Sequence, residues 1–132
     1  MLEDFIEANN LKARIVGRAH SNIIKCIAFL AKKELVVTVF PASKRIDFLK
    51  IKKELGCSEI ELLDRKKVIE ATGYASEFLP PVSVYAAKVL LDKEIIGLGT
   101  LHCKISETGF LEITAQEIIA GNEQAIVGDY SN

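Results

Sequence analysis

The chain is poor in the residues that build the commonest catalytic and metal centres. It has three cysteines, Cys26, Cys57 and Cys103, an odd number with no CxxC spacing. That argues against both a disulfide framework and a structural zinc site. Only two histidines, His20 and His102, are available to a Ser-His-Asp or Cys-His arrangement. There is no Walker loop, no GxGxxG and no HExxH, so nucleotide hydrolysis and zinc peptidase chemistry find no support. No apolar run approaches the ~20 residues that a membrane-spanning helix needs. The first ten residues, MLEDFIEANN, are acidic and amphipathic, the opposite of a signal or transit peptide. A soluble, cytoplasmic protein with no metal, no cofactor and no membrane partner is expected.

At 132 residues the chain is sized for one domain, 1–132, with a substantial core. Its net charge is −1, but the charge is unevenly placed. Residues 11–53 carry eleven Lys or Arg against only Glu34 and Asp47. The remainder is acidic. A basic third of a neutral chain either forms a positive face suited to a polyanion or is spread over solvated surfaces.

Hydrophobic period and punctuation predict the elements. Leu2, Phe5 and Ile6 share a helical face. Strands are expected over Lys12–Val16, Ile23–Leu30, Leu35–Phe40 and Glu59–Leu63, with a hairpin turn at residues 31–34. Ser43 offers a cap for a helix over Arg45–Leu55, whose apolar face includes Phe48 and Leu49 and which stops at Gly56. Asp64 caps a second helix ending at Gly73, with Leu63 and Val68 spaced as a staple. A long apolar strand over Val82–Leu91 is expected to turn at residues 92–94 into a return strand over Ile95–Thr100, which contains Gly97 and Gly99. Phe110–Ile113 and Gln124–Val127 read as the last strands, around a Thr114-capped helix closed by Gly121. The sum is an α+β domain, a mixed and mostly antiparallel sheet of about seven strands with helices packed around it.

The stretch around which these elements are organised is Ile69–Val84, IEATGYASEFLPPVSV. It turns sharply at Thr72-Gly73-Tyr74 and runs to Pro80-Pro81, which removes two backbone donors and fixes φ twice. A stiff loop propped between a helix and a strand is a usual place for a site. Lys25, inside IIKCIAF, is the sharpest single residue. It either snorkels from a wet strand face or presents an ammonium to a phosphate or a polarised carbonyl in a cleft. Glu77, the only acid between Glu70 and Asp92, is a general base if its pKa is raised. Cys26 and Cys103 suit small core positions, and the role of His102 is open.

These landmarks, in this order, resemble the YbaK / prolyl-tRNA synthetase-associated editing domains over roughly residues 22–128. IIKCIAF looks like the family's strand with its functional lysine, which falls on Lys25. FPASKRIDFLKIKKELGCSEIELLDRKKVIEATGY resembles the segment leading to the family's TGY, and the following loop its GxxxP. Residues 95–113 resemble the glycine-containing hairpin that walls the pocket. The departures are specific: Glu77 and Phe78 stand where the family has a glycine pair, Ser83 where a glycine often follows the proline, and Cys26 where Thr or Ser follows the lysine.

The resemblance implies hydrolysis of the ester of mischarged aminoacyl-tRNA. Lys25 and Glu77 would be the catalytic residues. Cys26, Thr72, Gly73, Tyr74, Phe78, Leu79, Pro80, Pro81, Gly97 and Gly99 would surround the substrate. The acceptor end of tRNA, and potentially a synthetase, would be the partners. The alternative is a binding module of the same fold that recognises tRNA or a synthetase without hydrolysis, and a remoter third is a small-molecule pocket protein.

Overall fold

The computed structural model describes residues 1–19 and 21–132; His20 lies outside them. Eight strands form one mixed sheet: β1 (Arg14–Val16), β2 (Ile23–Ala31), β3 (Glu34–Pro41), β4 (Glu61–Leu62), β5 (Lys88–Asp92), β6 (Thr100–Lys104), β7 (Phe110–Thr114) and β8 (Ala125–Gly128). Four helices accompany them: α1 (Leu2–Ala8), α2 (Phe48–Leu55), α3 (Arg65–Thr72) and α4 (Ala115–Ala120). The sheet order is β1-β7-β6-β2-β3-β5-β8, with β4 also on β2. Four of the seven pairings are antiparallel, and β2–β6, β3–β5 and β5–β8 are parallel. The expected α+β class therefore stands.

The β2–β3 hairpin is the spine. Its register runs from Ile24↔Pro41 to Ala31↔Glu34, closed by Lys32 and Lys33 at φ 52° and 64°, the left-handed pair that a two-residue hairpin turn requires. Side chains leave the hairpin alternately. Ile24, Cys26, Ala28, Val37 and Val39 enter a large core shared with β5, β6, β7, α1 and α4. Phe29, Val36 and Leu90 enter a smaller one under α2. There Phe29 and Phe48 meet edge to face at 5.7 Å, an aromatic contact worth about 0.5–1.5 kcal/mol beyond its area.

Local chemistry explains most element ends and corrects several expectations. Helix α2 starts at Phe48, not Arg45, because Asp47 and not Ser43 caps it, accepting from the Leu49 and Lys50 N–H groups. Leu49 is accordingly exposed while Ile51 is buried. Asp64 caps α3 through Lys67 N–H at 2.9 Å, and Thr114 caps α4 through Glu117 N–H.

The predicted strand over Val82–Leu91 is a strand only from Lys88. Ser83 and Ala86 take φ 71° and 59°, which breaks a sheet ladder. Nor do residues 95–100 return as its hairpin partner. Lys93–Ile95 make a single 3₁₀ turn, the chain passes Gly97 and Gly99, and β6 joins β7 and β2 instead. Asp92 holds that corner. Its buried carboxylate accepts from Glu94 N–H (2.8 Å), Tyr130 N–H (3.0 Å) and the Ser131 hydroxyl (2.8 Å), tying the C-terminus to β5.

Candidate functional site: an interruption in the sheet beside a closed loop

Strand β2 has β3 along the whole of one edge but a broken partner along the other. Parallel β6 reaches only as far as Ile24↔Cys103. Antiparallel β4 begins only at Phe29↔Leu62. Among the described residues no strand pairing is recorded opposite Lys25–Ala28 on that edge. The hydrogen-bond parity is fixed by two bonds: Ala42 N–H donates to the Ile23 carbonyl (2.9 Å) and His102 N–H to the Asn22 carbonyl (3.1 Å). Odd-numbered residues of β2 therefore bond β3, and even-numbered ones face the interruption.

Alternation also separates the side chains of Lys25 and Cys26. Cys26 is buried in the larger core, with its sulfur 4.0 Å from that of Cys103, and burial raises its thiol pKa. Cys103 donates in turn to the Leu79 carbonyl at 3.5 Å, so the loop carrying Leu79 packs on that side. Lys25 is exposed and leaves the strand on the opposite side. It has no ion pair among the described residues. The lysine that looked anomalous inside an apolar run is thus accommodated by a wet strand face at the margin of the interruption.

The loop over residues 72–83 is closed at its two ends. Gly73, at φ 81°, ends α3 in the left-handed conformation that glycine adopts without strain. The Thr72 hydroxyl lies 2.7 Å from the Val68 carbonyl and accepts from Tyr74 N–H. The Tyr74 hydroxyl then donates to Ser83 Oγ at 2.8 Å, across nine residues. Between them Ser76–Phe78 form a 3₁₀ turn, Leu79, Pro80 and Pro81 are buried, and the Pro81 carbonyl accepts from Asn122 Nδ2 at 3.0 Å. Glu77 and Phe78 do not have positive φ, so the residues that stand in for the glycine pair bring no backbone strain. Ser83 does, at the position where the resemblance has glycine. A groove of about 520 Å³ opens where the loop ends, between Phe5 and residues 83–87 and 121–124. Tyr85 stands on its rim, 92 % exposed.

Glu77 does not have the environment of a general base. Arg65 donates to it at 3.0 Å and Ser76 at 3.1 Å, and the Arg65 bond holds its carboxyl below the ordinary 4.5, where a base role requires it to be raised. Gly97 and Gly99 line up with neither Glu77 nor the 72–83 loop through any hydrogen bond. Asn22 binds their segment to the start of β2, donating to the Leu98 and Thr100 carbonyls at 2.9 and 3.2 Å, beside a groove of about 570 Å³ that includes Ile23, Lys44 and Leu98.

His102 is buried. Its Nδ1 lies 3.0 Å from the Ser21 carbonyl and its Nε2 3.2 Å from Glu112, which Arg14 also grips at 2.8 Å. Together they make a polar ladder across β6, β7 and β1. The Arg14 bond, then that of His102, holds the Glu112 carboxyl below its ordinary value. Asn22, Arg65 and Asn122 were not singled out in the sequence; each acts on main chain or on Glu77 across long sequence separations, which no local pattern records. Among the described residues no group of three His, Cys, Asp or Glu is placed to hold a metal ion, and no helix is long and apolar enough to cross a membrane.

The fold recurs in solved structures. A hypothetical protein matches with a TM-score of 0.86 at 23 % identity, over 99 % of each chain. A candidate trans-editing enzyme for prolyl tRNA synthetase matches with a TM-score of 0.85 at 19 % identity, over 99 % of this chain and 94 % of that one. The model of the aminoacyl-tRNA editing domain family matches residues 11–119, and the chain belongs to that family. Among curated proteins, the proline–tRNA ligase of Desulfotalea psychrophila is 28 % identical over 88 residues, 67 % of this chain, and that of Geotalea daltonii 30 % over 78 residues. The chain spans only about 15 % of the length of these ligases.

Proposed function

We propose that the protein hydrolyses the ester bond of mischarged aminoacyl-tRNA, acting in trans on tRNA released from its synthetase. The observation that carries this reading is the interrupted edge of β2, which sets Lys25 at the margin of a sheet opening in an editing-domain fold. The Leu79 loop closes the other face. Hydrolysis of an activated ester needs little acid–base machinery: positioning water against the carbonyl and stabilising the developing oxyanion can suffice. In this reading the Lys25 ammonium meets the terminal ribose-phosphate or the developing charge. Thr72 to Pro81 form the wall against which the aminoacyl group rests, and Gly97 and Gly99 flank the entrance at the start of β2. Glu77, bound to Arg65, fixes the loop and is not the base.

The tRNA itself supplies phosphates. Of the eleven Lys and Arg in residues 11–53, only Arg14 and Lys50 form ion pairs among the described residues. The others remain available to a polyanion, and binding is expected to weaken steeply with salt.

The test is hydrolysis of a panel of aminoacyl-tRNAs, mischarged proline tRNA included, by wild type and Lys25→Ala. The variant should lose turnover while its stability stays within about 0.5 kcal/mol of wild type, as for an exposed, unpaired side chain. Salt-dependent tRNA binding with no turnover on any member would instead establish a binding module. The replaced glycines at Glu77 and Phe78 and the Arg65–Glu77 pair favour that second reading.

A further inference from the structure

We infer that the groove at the open end of the β2–β3 hairpin is a subsite for one unpaired nucleotide of the tRNA 3′ end, whose base carries an exocyclic amine as cytosine and adenine do. The base lies against Ile23, Pro41 and Leu98, its phosphate meets Lys44, and its amine donates to Glu94. That the nucleotide belongs to a tRNA rests on the editing reading above; the match between groove and nucleotide does not.

The groove measures about 570 Å³, within the range of small-ligand sites. Its floor is apolar but open to water: Ile23 is 37 % and Leu98 40 % exposed, surface that the face of a base would cover. Lys44 and Glu94 line the same groove, yet neither side chain has a hydrogen bond or ion pair among the described residues. The walls, by contrast, are fixed by main-chain bonds. Lys44 N–H donates to the Pro41 carbonyl (3.0 Å) and Ala42 N–H to that of Ile23 (2.9 Å). Asn22 Nδ2 holds the Leu98 carbonyl at 2.9 Å, and Asp92 accepts from Glu94 N–H at 2.8 Å. The backbone is thus ordered before a ligand arrives while the charged heads stay free, which limits the ordering cost of binding.

The two charges select the ligand. Glu94 opposes a ligand that is only anionic, and Lys44 one that is only cationic. A nucleotide satisfies both. Its phosphate suits the ammonium, and an exocyclic amine donates to the carboxylate, the pairing by which acidic side chains read cytosine. Uracil presents a carbonyl oxygen at the same place and is repelled. The 3′ end of tRNA, C-C-A, carries the amine on every base. Lys25 supplies the connection to the ester. Ile23 and Lys25 leave β2 on one face, roughly 7 Å apart along the strand, so the groove adjoins the lysine at which the terminal ribose is placed.

NMR titration of the Ile23 and Leu98 methyl groups with CMP, UMP, AMP and IMP tests the assignment. CMP should shift both methyls and bind at least about ten-fold tighter than UMP, and AMP than IMP, the difference made by one hydrogen bond to a charged group. Glu94→Gln should shrink each ratio to about three-fold or less, because its amide can also donate to a carbonyl. Lys44→Ala should weaken all four nucleotides alike. Neither variant removes a bond within the protein, so their melting curves should match that of wild type. Absent shifts, or equal affinity for CMP and UMP, overturn the subsite, and turnover on the aminoacyl-tRNA panel then leaves the editing reading standing. Discrimination that persists in Glu94→Gln overturns the role of Glu94. Discrimination with no turnover on any panel member keeps the subsite and overturns the hydrolysis. Where turnover is present, both variants should raise KM for aminoacyl-tRNA with kcat within about two-fold; an unchanged KM would make the groove a site for free nucleotides and overturn its assignment to tRNA. A free apolar amino acid that shifts the same methyls and binds tighter than CMP would replace the nucleotide.

Discussion

Ser83 carries two opposed contributions, and substitutions can separate them. It sits at φ 71°, a left-handed conformation that costs a residue with a β-carbon roughly 1–2 kcal/mol. Its hydroxyl accepts the Tyr74 bond at 2.8 Å, which contributes about 0.5–1.5 kcal/mol net. Ser83→Ala loses the bond and keeps the strained backbone, so it should destabilise by about 1 kcal/mol. Ser83→Gly loses the same bond but relieves the strain, less the extra flexibility of glycine in the unfolded chain, about 0.5–1 kcal/mol. The glycine variant should therefore lie close to wild type and about 0.5–1 kcal/mol above the alanine variant, a separation of roughly 2–4 °C in Tm. Tyr74→Phe should cost about as much as Ser83→Ala, and the two together little more than either alone, because they remove one shared bond. Urea midpoints with an unchanged slope provide the measurement. An alanine variant as stable as the glycine variant would mean that residue 83 is not left-handed in solution. Strict additivity of the two single substitutions would mean that the loop is not closed by this hydroxyl pair.

Two further outcomes follow from the charges. Because Arg65 depresses the pKa of Glu77 below 4.5, the pair stabilises the fold above the unfolded carboxylate pKa, and this is lost as pH falls through the lower folded value. Melting curves of wild type and Glu77→Gln should thus differ slightly at pH 7 and converge toward pH 3. Turnover of the Gln variant should stay within a few-fold of wild type, since loss of a general base costs about 10²–10⁴; a fall of that size would restore Glu77 as the base. Asp92→Ala should orphan the buried Tyr130 N–H and Ser131 hydroxyl, at about 1–3 kcal/mol each. Urea unfolding should place it about 2–6 kcal/mol below wild type, and a loss under 1 kcal/mol would show that the C-terminus is not held there.

Much of the helical framework was legible because its signals are local. Asp64, Thr114, Gly56 and Gly73 each act within one turn of where they stand, and each ends or begins the element that it was expected to. The start of α2 was misread between two capping residues, Ser43 and Asp47, that only the bond to Leu49 N–H distinguishes. Residues 82–87 were misread because VSVYAA has strand composition while its backbone does not. Neither serine nor alanine announces a positive φ, and the Tyr74 hydroxyl that meets Ser83 lies nine residues earlier in the chain. Lys25 was conspicuous as a charge among apolar residues, but its surroundings follow from where β6 stops and β4 starts, and those pairings join residues far apart in sequence.

That dependence bears on how such a site works without a triad. Strands β6 and β4 reach the same edge of β2 from opposite ends and in opposite directions, one parallel and one antiparallel. They cannot fuse into one partner, so an opening in the middle of the sheet is a consequence of topology and needs no special residue. The backbone of Lys25 is fixed by the β3 ladder on its other side, so on the proposed reading the strand that presents its ammonium is already ordered when a ligand arrives, the condition under which electrostatic stabilisation costs little reorganisation. On the proposed reading, Cys26→Thr, which sets a hydroxyl beside Cys103 in place of the thiol, should change the preference among aminoacyl-tRNAs, and an unchanged preference would remove Cys26 from the wall of the pocket.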